Sequence, residues 1–176
     1  MRKSPTRRTA TRPPLPRPFK RLLVALDTSE QAQYAVDAAA RLARQLRAEV
    51  VLISVFYVAR TSNARIEFIA QDVRRHCIDN GQKLLKAAKS RMPNPESVQI
   101  VLREGDAATE IVRAASVYDI DLILMGTHAK GRIAKALLGS VASAVVQRAP
   151  CPVLTLAHPL RPLHESAAEP ASALSG

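Results

Sequence analysis

Apolar positions along this chain follow two periods, and the two alternate. Residues 21–27 read Arg21-Leu22-Leu23-Val24-Ala25-Leu26-Asp27, an apolar run closed by a carboxylate, which predicts a strand buried on both faces. Thr28 and Gln31 then stand at capping-box spacing and predict a helix start at Thr28. Ala32, Ala35, Val36, Ala39, Leu42, Ala43 and Leu46 mark one helical face after it. A second strand is predicted over residues 49–56. A long helix follows over about residues 63–91, with apolar positions Ile66, Ile69, Val73, Cys77, Leu84, Leu85 and Ala88, until Pro93 and Pro95 stop it. Residues 98–102 read as a shorter strand, and Gly105-Asp106 opens a helix that buries Ala108, Ile111, Val112 and Ala115. Residues 121–125 form a fourth strand, after which Gly126 begins a glycine-bearing loop. Gly139-Ser140 starts a last helix through Val141, Val145 and Val146, Pro150-Cys151-Pro152 breaks it, and residues 153–157 make a fifth strand. Five strands with helices between them imply an α/β fold of three layers, a five-stranded mostly parallel sheet with helices on both faces.

Composition refines this picture at the two ends. The chain has 176 residues, 47% of them apolar and only 3% aromatic, enough to bury a core built mainly from Ala, Val, Leu and Ile. Its formal charge of +11 is uneven, because residues 1–18 hold Arg2, Lys3, Arg7, Arg8, Arg12 and Arg17 and no acid. That Pro- and Arg-rich segment, and the Pro-, Ala- and Ser-rich residues 158–176, lack the apolar content to fold and read as tails around one domain, residues 19–157. Two distant cysteines, Cys77 and Cys151, make neither a disulfide framework nor a metal spacing. No apolar run is long enough to span a bilayer, and no apolar segment follows the basic residues as an export signal requires, so the expected location is the cytoplasm.

Candidate chemistry concentrates at two strand ends. In folds of this class ligands sit at the carboxyl ends of the strands, where strand order reverses. The first strand ends in Asp27, where capping of the next helix alone also accounts for a carboxylate. The fourth ends in Gly126-Thr127-His128-Ala129-Lys130-Gly131-Arg132, followed by Gly139-Ser140 at a helix start. Glycines let backbone amides approach an anion, a helix N-terminus offers unpaired N–H groups, and Lys130 and Arg132 add positive charge. The same residues also fit a plain turn and a capped helix. Gly126 and Gly131 have Walker spacing, but Arg132-Ile133 replaces the required Lys-Ser/Thr. The Gly-x-Gly-x-x-Gly dinucleotide fingerprint is absent after the first strand, so a P-loop enzyme and an ordinary dehydrogenase are both excluded. His76, His158 and His164 have no ligand partners at metal spacing, Cys77 reads as core, and no nucleophile–base pair is evident.

Three segments resemble the C-terminal signature of universal stress proteins: Met125-Gly126-Thr127-His128, Leu137-Leu138-Gly139-Ser140-Val141-Ala142, and Ala149-Pro150-Cys151-Pro152-Val153-Leu154. Residues 22–30 resemble that family's first strand and turn, and Glu104-Gly105-Asp106 with Glu110-Ile111-Val112 its middle. The resemblance implies a Rossmann-like, adenine nucleotide alpha hydrolase-like fold, a role in stress response, and binding of ATP, ADP or AMP, with or without Mg2+. Its ATP-binding members carry Gly-x2-Gly-x9-Gly-Ser/Thr. Gly126, Gly139 and Ser140 match that motif, whereas Ala129 replaces the second glycine. If that position needs positive φ, Ala129 strains the loop by about 1 kcal/mol or more. Carried over, the resemblance places Ala25, Asp27 and Val55 around adenine and Gly126 against ribose. It places Ala129, Lys130, Gly139, Ser140 and Val141 at the phosphates. It implies at most slow ATP hydrolysis and a homodimer formed through the last strand. The alternative is a dimeric interaction protein without nucleotide binding, and the basic tail is the one segment expected to contact nucleic acid.

Overall fold

A computed structural model describes residues 19–59, 63–127 and 138–159. Five strands, β1 (Arg21–Leu26), β2 (Glu49–Phe56), β3 (Gln99–Glu104), β4 (Leu122–Gly126) and β5 (Val153–Leu156), form one sheet in the order β3-β2-β1-β4-β5. Every neighbouring pair is parallel. Four helices connect or follow them: α1 (Glu30–Leu46), α2 (Ala64–Lys89), α3 (Ala107–Val117) and α4 (Ser140–Arg148). Strand order reverses between β1 and β4: the chain steps outward from β1 through β2 to the β3 edge, then crosses back to β4 on the other side of β1 and continues to β5.

The pleat explains how one strand serves two cores. In β1, Leu22, Val24 and Leu26 face α1 and α2, while Leu23 and Ala25 face α3 and α4. Alanines on α1 (Ala32, Ala35, Ala38, Ala39 and Ala43) are buried and let its backbone lie close to the sheet. The fold expected from the apolar pattern is therefore the fold observed, with every strand parallel.

Four local expectations are corrected. The N-cap of α1 is Ser29, not Thr28: the Ser29 hydroxyl accepts from Ala32 N–H at 3.1 Å, and Thr28 is exposed. Strand β3 extends to Glu104 because Arg103 and Glu104 pair in register with Val55 and Phe56, which needs only backbone groups. Strand β4 begins at Leu122, because the Asp121 carboxylate instead accepts from the backbone N–H groups of Lys20 (2.8 Å) and Arg21 (2.9 Å). In the first half of α2, Ile66, Ile69 and Val73 are exposed, Cys77 is only half-buried, and Leu85 and Ala88 alone of the expected stripe reach the core. Length is the reason: 26 helical residues run about 39 Å, whereas the eight residues of β2 span about 26 Å. The start of α2 overhangs the sheet. Among the described residues no helix is long and apolar enough to cross a membrane.

Candidate functional site

At the point where strand order reverses, the chain leaves a cleft of about 330 Å³. Its floor is the carboxyl ends of β1, β2 and β4. Ala25 and Asp27 come from β1, Ile53 and Val55 from β2, and Met125, Gly126 and Thr127 from β4. One wall is the start of α4, with Gly139, Ser140 and Val141, and the other side is closed by Ala107 and Ile111 of α3. The parallel register brings these ends level, since Ala25 pairs with Ile53 on one side and Met125 on the other.

Gly126 has a packing reason of its own. A Cβ there would meet the Gln31 Cβ at 2.8 Å, and the Ala32 amide nitrogen and Gln31 carbonyl carbon at 2.9 Å. The first turn of α1 thus lies directly on the β4 strand end. One residue further, Thr127 fixes the wall: its N–H donates to Leu156 C=O at 3.0 Å and its C=O accepts from Gly139 N–H at 2.7 Å. Helix α4 therefore starts beside the end of β4, whatever path residues 128–137 take between them.

The three helix starts around the cleft are not alike. Ser29 caps α1 and Asp106 caps α3 through side-chain oxygens, whereas the α4 N-cap is Gly139, with no side-chain cap hydrogen bond. The first amides of any helix have no intrahelical acceptor, and here they carry the positive end of a nine-residue helix into the cleft. Ser140, the first helical residue, is exposed at the rim. Opposite it, one Asp27 oxygen accepts from the Ser29 N–H at 2.9 Å and also from the Ser29 hydroxyl. Asp27 is thus an Asx-type support for the residue that caps α1, and it still lines the cleft. Among the described lining residues it is the one titratable group.

Of the residues singled out from the sequence, Ala25, Asp27, Val55, Gly126, Gly139, Ser140 and Val141 come together in this cleft. Ala129 and Lys130, with His128, Gly131 and Arg132, lie outside the described residues. The sequence reading missed Ile53, Met125 and Thr127, which were accessible to it as near neighbours on strands already identified. It also missed Ala107 and Ile111, which only the packing of α3 against β2 brings in. Burial, with Asp121 nearby, pushes the Cys151 thiol above the ordinary range, which disfavours the thiolate. No three His, Cys, Asp or Glu side chains cluster as metal ligands among the described residues.

Comparison with known proteins agrees with this fold. The family model described as "Universal stress protein family" matches residues 18–156. A universal stress protein of Methanocaldococcus jannaschii is 33% identical over 147 residues, covering 80% of this chain and 84% of its own length. Among solved structures, a universal stress protein in complex with cAMP superposes with a TM-score of 0.60 at 22% identity, over 79% of this chain and 97% of that one. The universal stress protein from Archaeoglobus fulgidus in complex with dAMP gives 0.55 at 20% identity, over 79% and 98%.

Proposed function

This chain belongs to the universal stress protein family, and from that premise we propose that it binds an adenine nucleotide in the cleft at the reversal of strand order, as part of a stress response. The observation that carries the proposal is the N-terminus of α4, with no side-chain cap, facing a largely apolar cleft. Relatives of the same fold whose structures contain cAMP and dAMP support the ligand class. In this reading Ala25, Ile53 and Val55 hold the adenine ring by apolar contact, with Asp27 at its edge. Gly126 lies along the ribose. The amides of Ser140 and Val141 and the Ser140 hydroxyl donate to phosphate oxygens, with Ala129 and Lys130 beside them as the resemblance implies. A volume near 330 Å³ is within the range for small-ligand sites.

Chemistry beyond binding is slight in this reading. The donors at this helix start hold phosphate charge but neither orient nor deprotonate an attacking water. Asp27 is already engaged by Ser29 and sits at the adenine end, remote from any attacking water at the γ-phosphate. Turnover of ATP is therefore slow at most, and a Mg2+ ion would arrive on the nucleotide's phosphates. Calorimetric titration with ATP tests the assignment. Ser140→Ala removes one charge-assisted hydrogen bond and is expected to weaken ATP binding about tenfold. Unchanged affinity in that variant would move the phosphates away from α4.

A second property rests on β5. It is an edge strand, its outer backbone groups have no strand partner among the described residues, and three of its four side chains are only half-buried. Pairing with β5 of a second copy satisfies those groups in a symmetric dimer. Light scattering at micromolar concentration should return twice the chain mass, and a monomer mass would contradict it.

A further inference from the structure

The apolar part of the cleft wall is aliphatic, and none of its described lining residues is aromatic. One aromatic ring stands just beyond it. Tyr57 follows two residues after Val55, which lines the cleft from the end of β2. It is 72% exposed, more than any other large apolar or aromatic side chain among the described residues. No hydrogen bond holds its hydroxyl among those residues. Neither packing nor a polar contact therefore accounts for the ring. The next most exposed, Phe68, belongs to α2, which contributes nothing to the described lining.

The pleat fixes the side on which Tyr57 stands. In β2, Ile53 and Val55 belong to the face covered by α3 and α4, whereas Val50 and Leu52 belong to the face covered by α1 and α2. Phe56 pairs in register with Glu104, and its C=O accepts from Gly105 N–H at 2.9 Å, so the backbone stays extended through it. Tyr57 is exposed and Val58 is buried, which carries the strand's alternation on through residue 58. Tyr57 thus falls on the side of Ile53 and Val55. Two residues of strand advance the backbone by about 7 Å, comparable with the length of a tyrosine side chain. A base resting on Val55 is within reach of that ring.

We propose that Tyr57 is a base-specificity residue of the cleft: on binding, its ring turns inward and packs flat against the adenine face left open to solvent. The inference rests on the reading of the cleft as a nucleotide site. Aliphatic contact rewards any base in proportion to the area it buries. Stacking on an aromatic ring adds a term that depends on the stacking strength of the base, and a purine offers the larger conjugated surface. The hydroxyl remains in water in this arrangement, so the ring and not the oxygen carries the effect.

Calorimetric titration of the full chain with ATP and with CTP tests this. Tyr57→Ala should weaken ATP binding about tenfold. CTP binding should weaken less, so the preference for ATP over CTP falls. Tm should not change, because the side chain is exposed. Tyr57→Phe should keep ATP affinity within about twofold of the parent. Phe68→Ala should bind ATP as the parent does. The chain has three tyrosines and no tryptophan, so its intrinsic fluorescence comes from Tyr34, Tyr57 and Tyr118. ATP should quench part of that emission in the parent, and the quench should vanish in Tyr57→Phe although ATP still binds. Parent-like ATP affinity in Tyr57→Ala, a quench that survives in Tyr57→Phe, or an equal loss of affinity in Phe68→Ala would each overturn the inference while the cleft stays a nucleotide site. A parent protein that binds no ATP would overturn both.

Discussion

A methyl group at Gly126 would stand 2.8 to 2.9 Å from the first turn of α1, two of the three contacts being backbone. Backbone cannot rotate away, so Gly126→Ala should force α1 off the sheet and cost about 1–3 kcal/mol, read as a lower urea midpoint with unchanged m-value. Loss of nucleotide affinity at undiminished stability would instead make Gly126 a ligand contact alone. A glycine motif in the sequence thus has a packing component that no sequence motif reveals, because the approaching backbone belongs to residues about ninety-five positions earlier. The Thr28 and Ser29 pair shows a limit of another kind. Both can cap a helix, and the choice fell to Ser29 because Asp27 holds its N–H and hydroxyl, a contact set by the strand end.

Helix starts decide what the elements around the cleft can do. Asp106 closes the start of α3 by accepting from the Thr109 hydroxyl at 2.5 Å and the Thr109 N–H at 2.9 Å. These two bonds, the hydroxyl's first, hold its carboxyl below the ordinary range. A carboxyl lowered in the folded state stabilises fully above its unfolded pKa and loses that stabilisation as pH falls through the folded value. Amide protection at Thr109 and Glu110 should therefore fall on acidification more than protection in the middle of α3. Asp106→Asn, which still caps but does not titrate, should remove the difference, and equal pH dependence in the two proteins would contradict the assignment. The start of α4 has no such cap, which is why its amides are available to a ligand. The sequence could place that start at Gly139-Ser140 but not its opening onto Ala25 and Val55. That opening depends on Thr127 bonding both Leu156 and Gly139. Likewise the apolar period of α2 was legible, and its overhang was not, because period carries no information on how far the sheet beneath extends.

At the scale of the molecule, strand order is what turns these ends into a site. Alternating apolar runs and helical periods foretell five strands and two covered faces, since burial on both sides leaves continuous apolar runs. Order is not encoded locally: that β4 pairs with β1 rather than β3 is a matter of long-range packing, and the cleft exists only because of it. The resemblance of residues 125–154 to the family signature supplied in advance what local patterns could not. Seven of the nine expected site residues meet in the cleft, while Ala129 and Lys130 lie outside the described residues. The central claim is the cleft, and it is tested most directly by following backbone amide NMR shifts while ATP is added. The account predicts saturable shifts largest at Ala25 to Asp27, Val55, Gly126, Thr127, Ser140 and Val141, with little change at Arg44 or Lys86. Absence of saturable shifts up to millimolar ATP, or shifts confined to residues outside the cleft, would contradict it.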